Sequence, residues 1–277
     1  MFFRNYAKPG KGIRKRDPNE PRLKVFFDVF PRKLWDLFKL NLLYVAVSLP
    51  FIIITMLVSG VISAPIINNI SMSMGETEII GYDTFIRIAV TFLFMIFMGF
   101  GPITAGFAYI IREHACERPC WLISDFFERT KSNFKQGMLL WIIDLVLLFV
   151  FTVAYGFYGQ SGNMVFQYII LLVSLVYIMM HIYIYQIMIT FNLPLKHILK
   201  NSFLMTMGKA PINLLLLLCN IIVYLLIPIL AIMSNAGSLT TMVVLLTEVL
   251  FLPAITNFII SFYIIPILNK HISDGNN

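Results

Sequence analysis

The chain contains a recurrence of apolar runs about 20 residues long, joined by short connections and almost free of charge inside. A helix of about 20 residues rises about 30 Å, the thickness of the hydrocarbon core of a bilayer. Six runs qualify: residues 41–60, 86–111, 138–158, 164–191, 212–234 and 241–268. Only 13% of the residues are charged and 59% are hydrophobic, against about 25% charged in a soluble domain. The pattern predicts an all-α membrane protein with six transmembrane helices and cytoplasmic amphipathic helices. It divides the chain into a basic N-terminal segment with an interfacial helix (1–40), a membrane domain (41–268) and a short tail (269–277). The start of the chain lacks a continuous apolar core of signal-peptide type before the first run, so that run is expected to stay as an anchor.

Charge sets the orientation. Of the 21 Lys and Arg, 11 lie in residues 1–39, and 20 fall in the four segments that six crossings place on one side. Arg87 alone is left over. Lys and Arg are retained on the cytoplasmic face, so both termini are expected there, in a multi-pass protein of the cell membrane. The net charge of +7 is then a collar facing the lipid bilayer, and no nucleic-acid partner is implied.

Each basic segment leads into a run through residues at helical spacing, which predicts interfacial helices. In the first, Leu23, Phe26, Phe27, Phe30, Leu34, Leu37 and Phe38 form a stripe, and Pro31 is expected to restart the helix. In the second, Asp125 and Glu128 have the spacing of an N-cap with its N3 partner. There Phe126, Phe127, Thr130 and Phe134 make an apolar edge beside Arg129, Lys131 and Lys135. In the third, Leu195, Ile198, Leu199, Ser202 and Met205 form the inner edge opposite Lys196 and Lys200.

Ionisable groups inside spans are costly, so each is a candidate functional residue. Asp144, His181 and Glu248 lie well inside their runs and form a candidate intramembrane polar site for a proton, a cation or a polar solute. The competing reading is that each bonds a neighbouring amide or tyrosine hydroxyl and fixes packing. Gly99, Gly101, Pro102 and Thr104 mark a candidate helix break in the second run. Such a break either lines a substrate site, as in secondary transporters, or lets helices approach closely. Cys116 and Cys120 have only His114 nearby, too few ligands for zinc, so no metal and no cofactor is expected. The chain has no phosphate-binding Gly-x4-Gly-Lys-Ser/Thr, no His-Glu-x2-His and no Gly-x-Ser-x-Gly, and a non-enzymatic protein is expected.

Several stretches resemble the YesL family of bacterial multi-pass membrane proteins, a domain of unknown function. They are Tyr6-Ala7-Lys8-Pro9-Gly10-Lys11-Gly12, the run from Arg32-Lys33-Leu34-Trp35 to Asn41-Leu42-Leu43-Tyr44, and Gly101-Pro102-Ile103-Thr104-Ala105-Gly106-Phe107. The most specific is Ser124-Asp125-Phe126-Phe127 leading to Lys131-Ser132-Asn133-Phe134-Lys135-Gln136-Gly137, and Ile198-Leu199-Lys200-Asn201-Ser202 is a weaker echo. The resemblance implies six membrane helices and an accessory part in carbohydrate uptake beside ATP-driven (ABC-type) importer subunits. It brings no catalytic residues. Asp125, Phe126, Phe127, Asn133, Phe134 and Lys135 are the candidate docking residues for such a partner. A self-contained transporter or channel for a small polar solute is the alternative.

The charge pattern makes a direct prediction. A reporter that works only in the cytoplasm should be active when fused after Asn277, Asn133 or Lys200, and silent after Ser73 or Gly237. Activity at Ser73 would mean that the first run does not cross.

Overall fold

A computed structural model of the chain describes residues 20–70, 76–233 and 238–274. Tyr6 to Gly12, Ser73, Gly237 and Asn277 lie outside them. The described residues are helical, with no strand among them. In order they form α1 (Arg22–Ile70), α2 (Glu76–Leu93), a π-helical turn (Phe94–Met98), α3 (Pro102–Ala115), α4 (Leu122–Ser132), α5 (Phe134–Gln160), α6 (Met164–Thr190), α7 (Leu195–Gly208), α8 (Ala210–Met233) and α9 (Ser238–Asp274).

Four stretches are long and apolar enough to cross a bilayer alone: most of α1, all of α5 and α6, and Leu246–Asn269 of α9. If each of two bent pairs is one span, the number is as high as six. Asp83–Met98 meets Pro102–Ala115 at 45°, and Leu195–Gly208 meets Ala210–Tyr224 at 95°. The chain is an all-α, multi-pass membrane protein. α7 turns sharply from α8, so the third amphipathic segment stays distinct from the fifth run. Its expected edge holds, with Ile198 and Ser202 buried while Lys196 and Lys200 are exposed.

α1 departs from expectation. It has 49 residues and so extends about 74 Å, far beyond one bilayer crossing. It is continuous through Pro31, where a restart was expected. Pro31 frees the carbonyl of Phe27, a residue on the exposed face, and Arg32 Nε donates to the next carbonyl, that of Asp28, at 2.9 Å. The expected single stripe also splits. Phe26 and Phe30 stack on each other at 5.2 Å and lie against Phe258 and Phe262 of α9. Leu37 is buried, whereas Leu23 and Phe27 remain exposed. Long-range packing on α9 takes the side of the helix that periodicity alone assigned to the membrane surface.

α3 is the hub, packing against α1, α4, α5, α6 and α9. Its residues Pro102 to Ala108 are all buried. Tyr44 of α1 stacks on Phe107 of α3 at 4.2 Å. On the opposite flank α1 is joined to α9 by Asn41, which is fully buried. Pro253 has no N–H, so the carbonyl of Val249 four residues back loses its helical donor. Asn41 Nδ2 donates to that carbonyl at 2.9 Å, and Asn41 Oδ1 accepts the N–H of Ala254 at 3.1 Å. One amide thus satisfies both backbone groups that the proline disturbs.

Asn41→Leu should therefore strand two buried backbone groups and cost about 1–3 kcal/mol, read as a lower thermal midpoint in detergent. In a Pro253→Ala background the loss should shrink, because position 253 regains an N–H for the Val249 carbonyl. Equal losses in both backgrounds would exclude this account.

Candidate functional site

Asp144 lies on α5 and His181 on α6, and the structure brings them together. Tyr177, His181 and Tyr185 recur every four residues, so they share one face of α6. That face meets Asp144, which is completely buried. Tyr177 donates its hydroxyl proton to Asp144 Oδ1 at 2.5 Å, and His181 Nε2 lies 3.2 Å from the same oxygen. The Tyr177 and His181 rings meet edge to face at 5.2 Å. The hydrogen bond that fixes Asp144 is the one from Tyr177, and such a bond is strong in a dry environment. Asp144 Oδ2 and both ring nitrogens of His181 make no hydrogen bond in the protein, so Nε2 meets Oδ1 at ion-pair distance only.

The expected helix break is present beside this pair. Gly99 and Gly101 have φ of +80° and +60°, a region that residues with a Cβ rarely enter. Pro102 then opens α3, at a position where its missing N–H costs nothing. Thr104 Oγ1 accepts the N–H of Phe100 at 2.6 Å and bonds the hydroxyl of Tyr44 at 3.1 Å. A Cβ on Gly99 would fall 2.5 Å from that Oγ1. Gly99, Gly101, Pro102 and Thr104 thus form one unit, in which the threonine caps what the glycines and proline interrupt.

A cavity of about 30 Å³ lies between the break and α6, lined by Gly99, Thr104, His181, Tyr185, Gln186 and Asn257 among others. It has room for one or two water molecules. Tyr185 Oη and Gln186 Oε1, both buried, lack partners here, while Gln186 Nε2 donates to Ser261 Oγ of α9 at 2.8 Å. Glu248 does not line this cavity. It is buried on α9, with neither carboxylate oxygen bonded. Of the three candidate ionisable residues, Asp144 and His181 thus meet and Glu248 stands apart. Sequence reading missed Tyr177 and Tyr185, although their four-residue spacing about His181 was a usable signal.

At the basic end, the candidate docking residues do not share one face. α4 begins at Leu122, after Pro119, with Trp121 extended at the cap position. Asp125 is accordingly not the N-cap. It lies inside the first turn and accepts the N–H of Trp121 at 2.8 Å. α4 ends at Ser132, and Asn133 sits at the junction with α5, donating to the Arg129 carbonyl at 2.9 Å. Phe134 and Lys135 therefore belong to the next helix. Phe126 is buried, while Phe127, Phe134 and Lys135 are exposed, because adjacent residues on a helix point about 100° apart.

The two stretches that carry most of the family resemblance mate with each other. A Cβ on Gly106 would run into Thr130 Oγ1 and would meet the Phe126 carbonyl oxygen at 2.6 Å. One on Gly137 would meet the backbone nitrogen of Pro102 at 2.5 Å. Arg32 pairs with Glu117 of the α3–α4 connection at 2.7 Å, and Gln136 Nε2 donates to the Leu193 carbonyl at 3.0 Å. Cys120 Sγ lies 3.7 Å from His114 Nδ1, and burial pushes the Cys116 and Cys120 thiols up. Among the described residues no group of three or more His, Cys, Asp or Glu side chains is arranged to hold a metal.

The chain matches a family model described as "Protein of unknown function, DUF624" over residues 37–155, a little under half of its length. This is consistent with the resemblance to the YesL family, and the matched part contains both mating stretches and Asp144. No curated protein and no solved structure matches the chain.

If Asp144 serves packing, Asp144→Leu alone should cost about 1–3 kcal/mol, because it leaves the Tyr177 hydroxyl buried without its acceptor. Asp144→Leu with Tyr177→Phe should recover most of that loss in a detergent melt, because it removes the stranded hydroxyl. A double variant as unstable as the single one would show that the pair does not act as a unit.

Proposed function

We propose that the chain is a non-enzymatic accessory component of a membrane transport system, set in the cell membrane with both termini in the cytoplasm. Its basic end is the docking face. The orientation rests on the placement of Lys and Arg. The partner class, subunits of an ATP-driven carbohydrate importer, rests on the YesL resemblance. One observation favours an accessory over a self-contained transporter: Asp144 is bonded by Tyr177 and packed against His181, with Glu248 elsewhere. A solute path through the spans asks for polar groups that converge on a shared opening, and a cavity of about 30 Å³ is smaller than the few hundred Å³ of a typical small-molecule site. A docking element needs exposed anchors. Trp121, Ile123 and Phe127 are exposed along α4, beside Lys135 at the start of α5.

The second reading, a transporter or channel for a small polar solute, is favoured by the unpartnered atoms of His181, Tyr185 and Gln186 that surround the cavity beside the helix break.

Affinity isolation from the native membrane should recover importer subunits. Recovery should fall at least fivefold for Ile123→Ser with Phe127→Ser, at normal abundance of the variant, while Asp144→Leu with His181→Leu leaves recovery intact. A purified chain that alone moves solute into liposomes, and loses that activity in the Asp144 and His181 double variant, would replace this reading with the second.

A further inference from the structure

A second cavity lies outside the polar site, at the corner where α7 turns away from α8. It measures about 570 Å³. One wall is the end of α6 and its exit, with Ile187 and Phe191; another is α7, with Leu204 and Met205; the third is Ile267 of α9. Two polar residues complete the lining, Asn201 on α7 and the exposed Lys209 at the corner. The Gln136 bond to the Leu193 carbonyl places this corner at the same end of the bundle as the basic connection before α5.

The charged residues that α6, α7 and α8 bring to this corner are all basic. No Asp or Glu occurs between Asp144 and Glu248, a stretch that contains all of α6, α7 and α8 and carries Lys196, Lys200 and Lys209. On the α9 wall, Glu248 is 19 residues before Ile267, about 28 Å along the helix. The groove is thus an apolar trough with a cationic rim, at the end of the membrane spans. That is the complement of an amphiphile with an anionic head.

We propose that this groove is a binding site for one anionic phospholipid, its phosphate at Lys209 and Asn201 and an acyl chain along Phe191, Leu204, Met205 and Ile267. A volume of about 570 Å³ takes a phosphoglycerol head and part of one chain, within the range of small-molecule sites, about 300–1,000 Å³. The lipid would fill the corner between α6, α7 and α9.

Gly208 gives the test. It lines the groove, and a Cβ added there meets no heavy atom within 4 Å, so a larger side chain enters the cavity without disturbing the packing. Full-length protein, washed free of lipid in detergent, is titrated with phosphatidylglycerol or phosphatidylcholine of matched chains and read by native mass spectrometry. One phosphatidylglycerol should bind, at least fivefold tighter than phosphatidylcholine. Lys209→Gln should weaken phosphatidylglycerol about fivefold, the contribution of one basic residue near an anionic head, and leave phosphatidylcholine unchanged. Gly208→Leu should abolish the bound species while the lipid-free thermal midpoint stays the same, and Leu204→Trp, from an exposed position, serves the same purpose should Gly208→Leu fail to purify. Equal binding of the two lipids, unaltered binding in both groove-filling variants, or a retained peptide or second copy in place of phospholipid would each overturn the proposal.

Discussion

Inside a bilayer, a backbone group freed by a break in a helix cannot turn to water, so every interruption has to be satisfied from within the protein. Two interruptions near the centre of the bundle are each repaired by one polar side chain. At Phe100 the donor is Phe100 N–H and the repair is Thr104 Oγ1. At Pro253 the exposed groups are the Val249 carbonyl and the Ala254 N–H, and the repair is the Asn41 amide. The first repair also fixes Tyr44, which carries α1 onto α3. The second fixes α1 onto α9. α1 is therefore positioned on both sides by the mending of its neighbours' defects, and its apolar contacts follow from that placement.

Close approach supplies what hydrogen bonds do not. Lipid tails are as apolar as leucine, so helices in a membrane gain little by hiding greasy surface and much by approaching tightly. Gly106 lets α4 lie on α3, and Gly137 lets the start of α5 touch Pro102. Both contacts join the break to the basic connection between α3 and α5. The geometry of the connection thus depends on the geometry of the break, although one lies at the end of the bundle and the other inside it.

The spans were legible because hydropathy and length are local properties, and so was the break, because Gly-Phe-Gly-Pro is hard to carry through a straight helix. The inner edge of α7 was legible too, from its four-residue spacing. The face of α1 was not, since Phe26 and Phe30 could meet lipid or Phe258 with equal periodicity, and the choice is made by a helix more than 200 residues away. The start of α4 was misread because Asp125 has the chemistry of an N-cap. The helix begins earlier, where the chain leaves Pro119, and the carboxylate reaches back to Trp121 instead. Asp144 and His181 were visible as ionisable residues, but their pairing depends on the rotation of α6 against α5, which no local pattern encodes.

The same facts bear on whether the break acts as a hinge. A hinge needs backbone groups that exchange partners at small cost. Here the side chain of Thr104 fills the space a Cβ on Gly99 would occupy, and the Gly137 carbonyl oxygen lies 2.9 Å from the Cβ position of Gly101. Bending further would separate Phe100 from Thr104 Oγ1 and pull Pro102 off Gly137, leaving a buried donor bare at a cost of about 1–3 kcal/mol. On the α6 side, Tyr177 and His181 converge on one oxygen of Asp144, so rotating α6 would break both contacts together. A kink braced on two sides behaves as a fixed element. It sets the direction of α3, and through Gly106 and Gly137 it sets where α4 and the start of α5 lie, which is the part of the molecule a partner would meet.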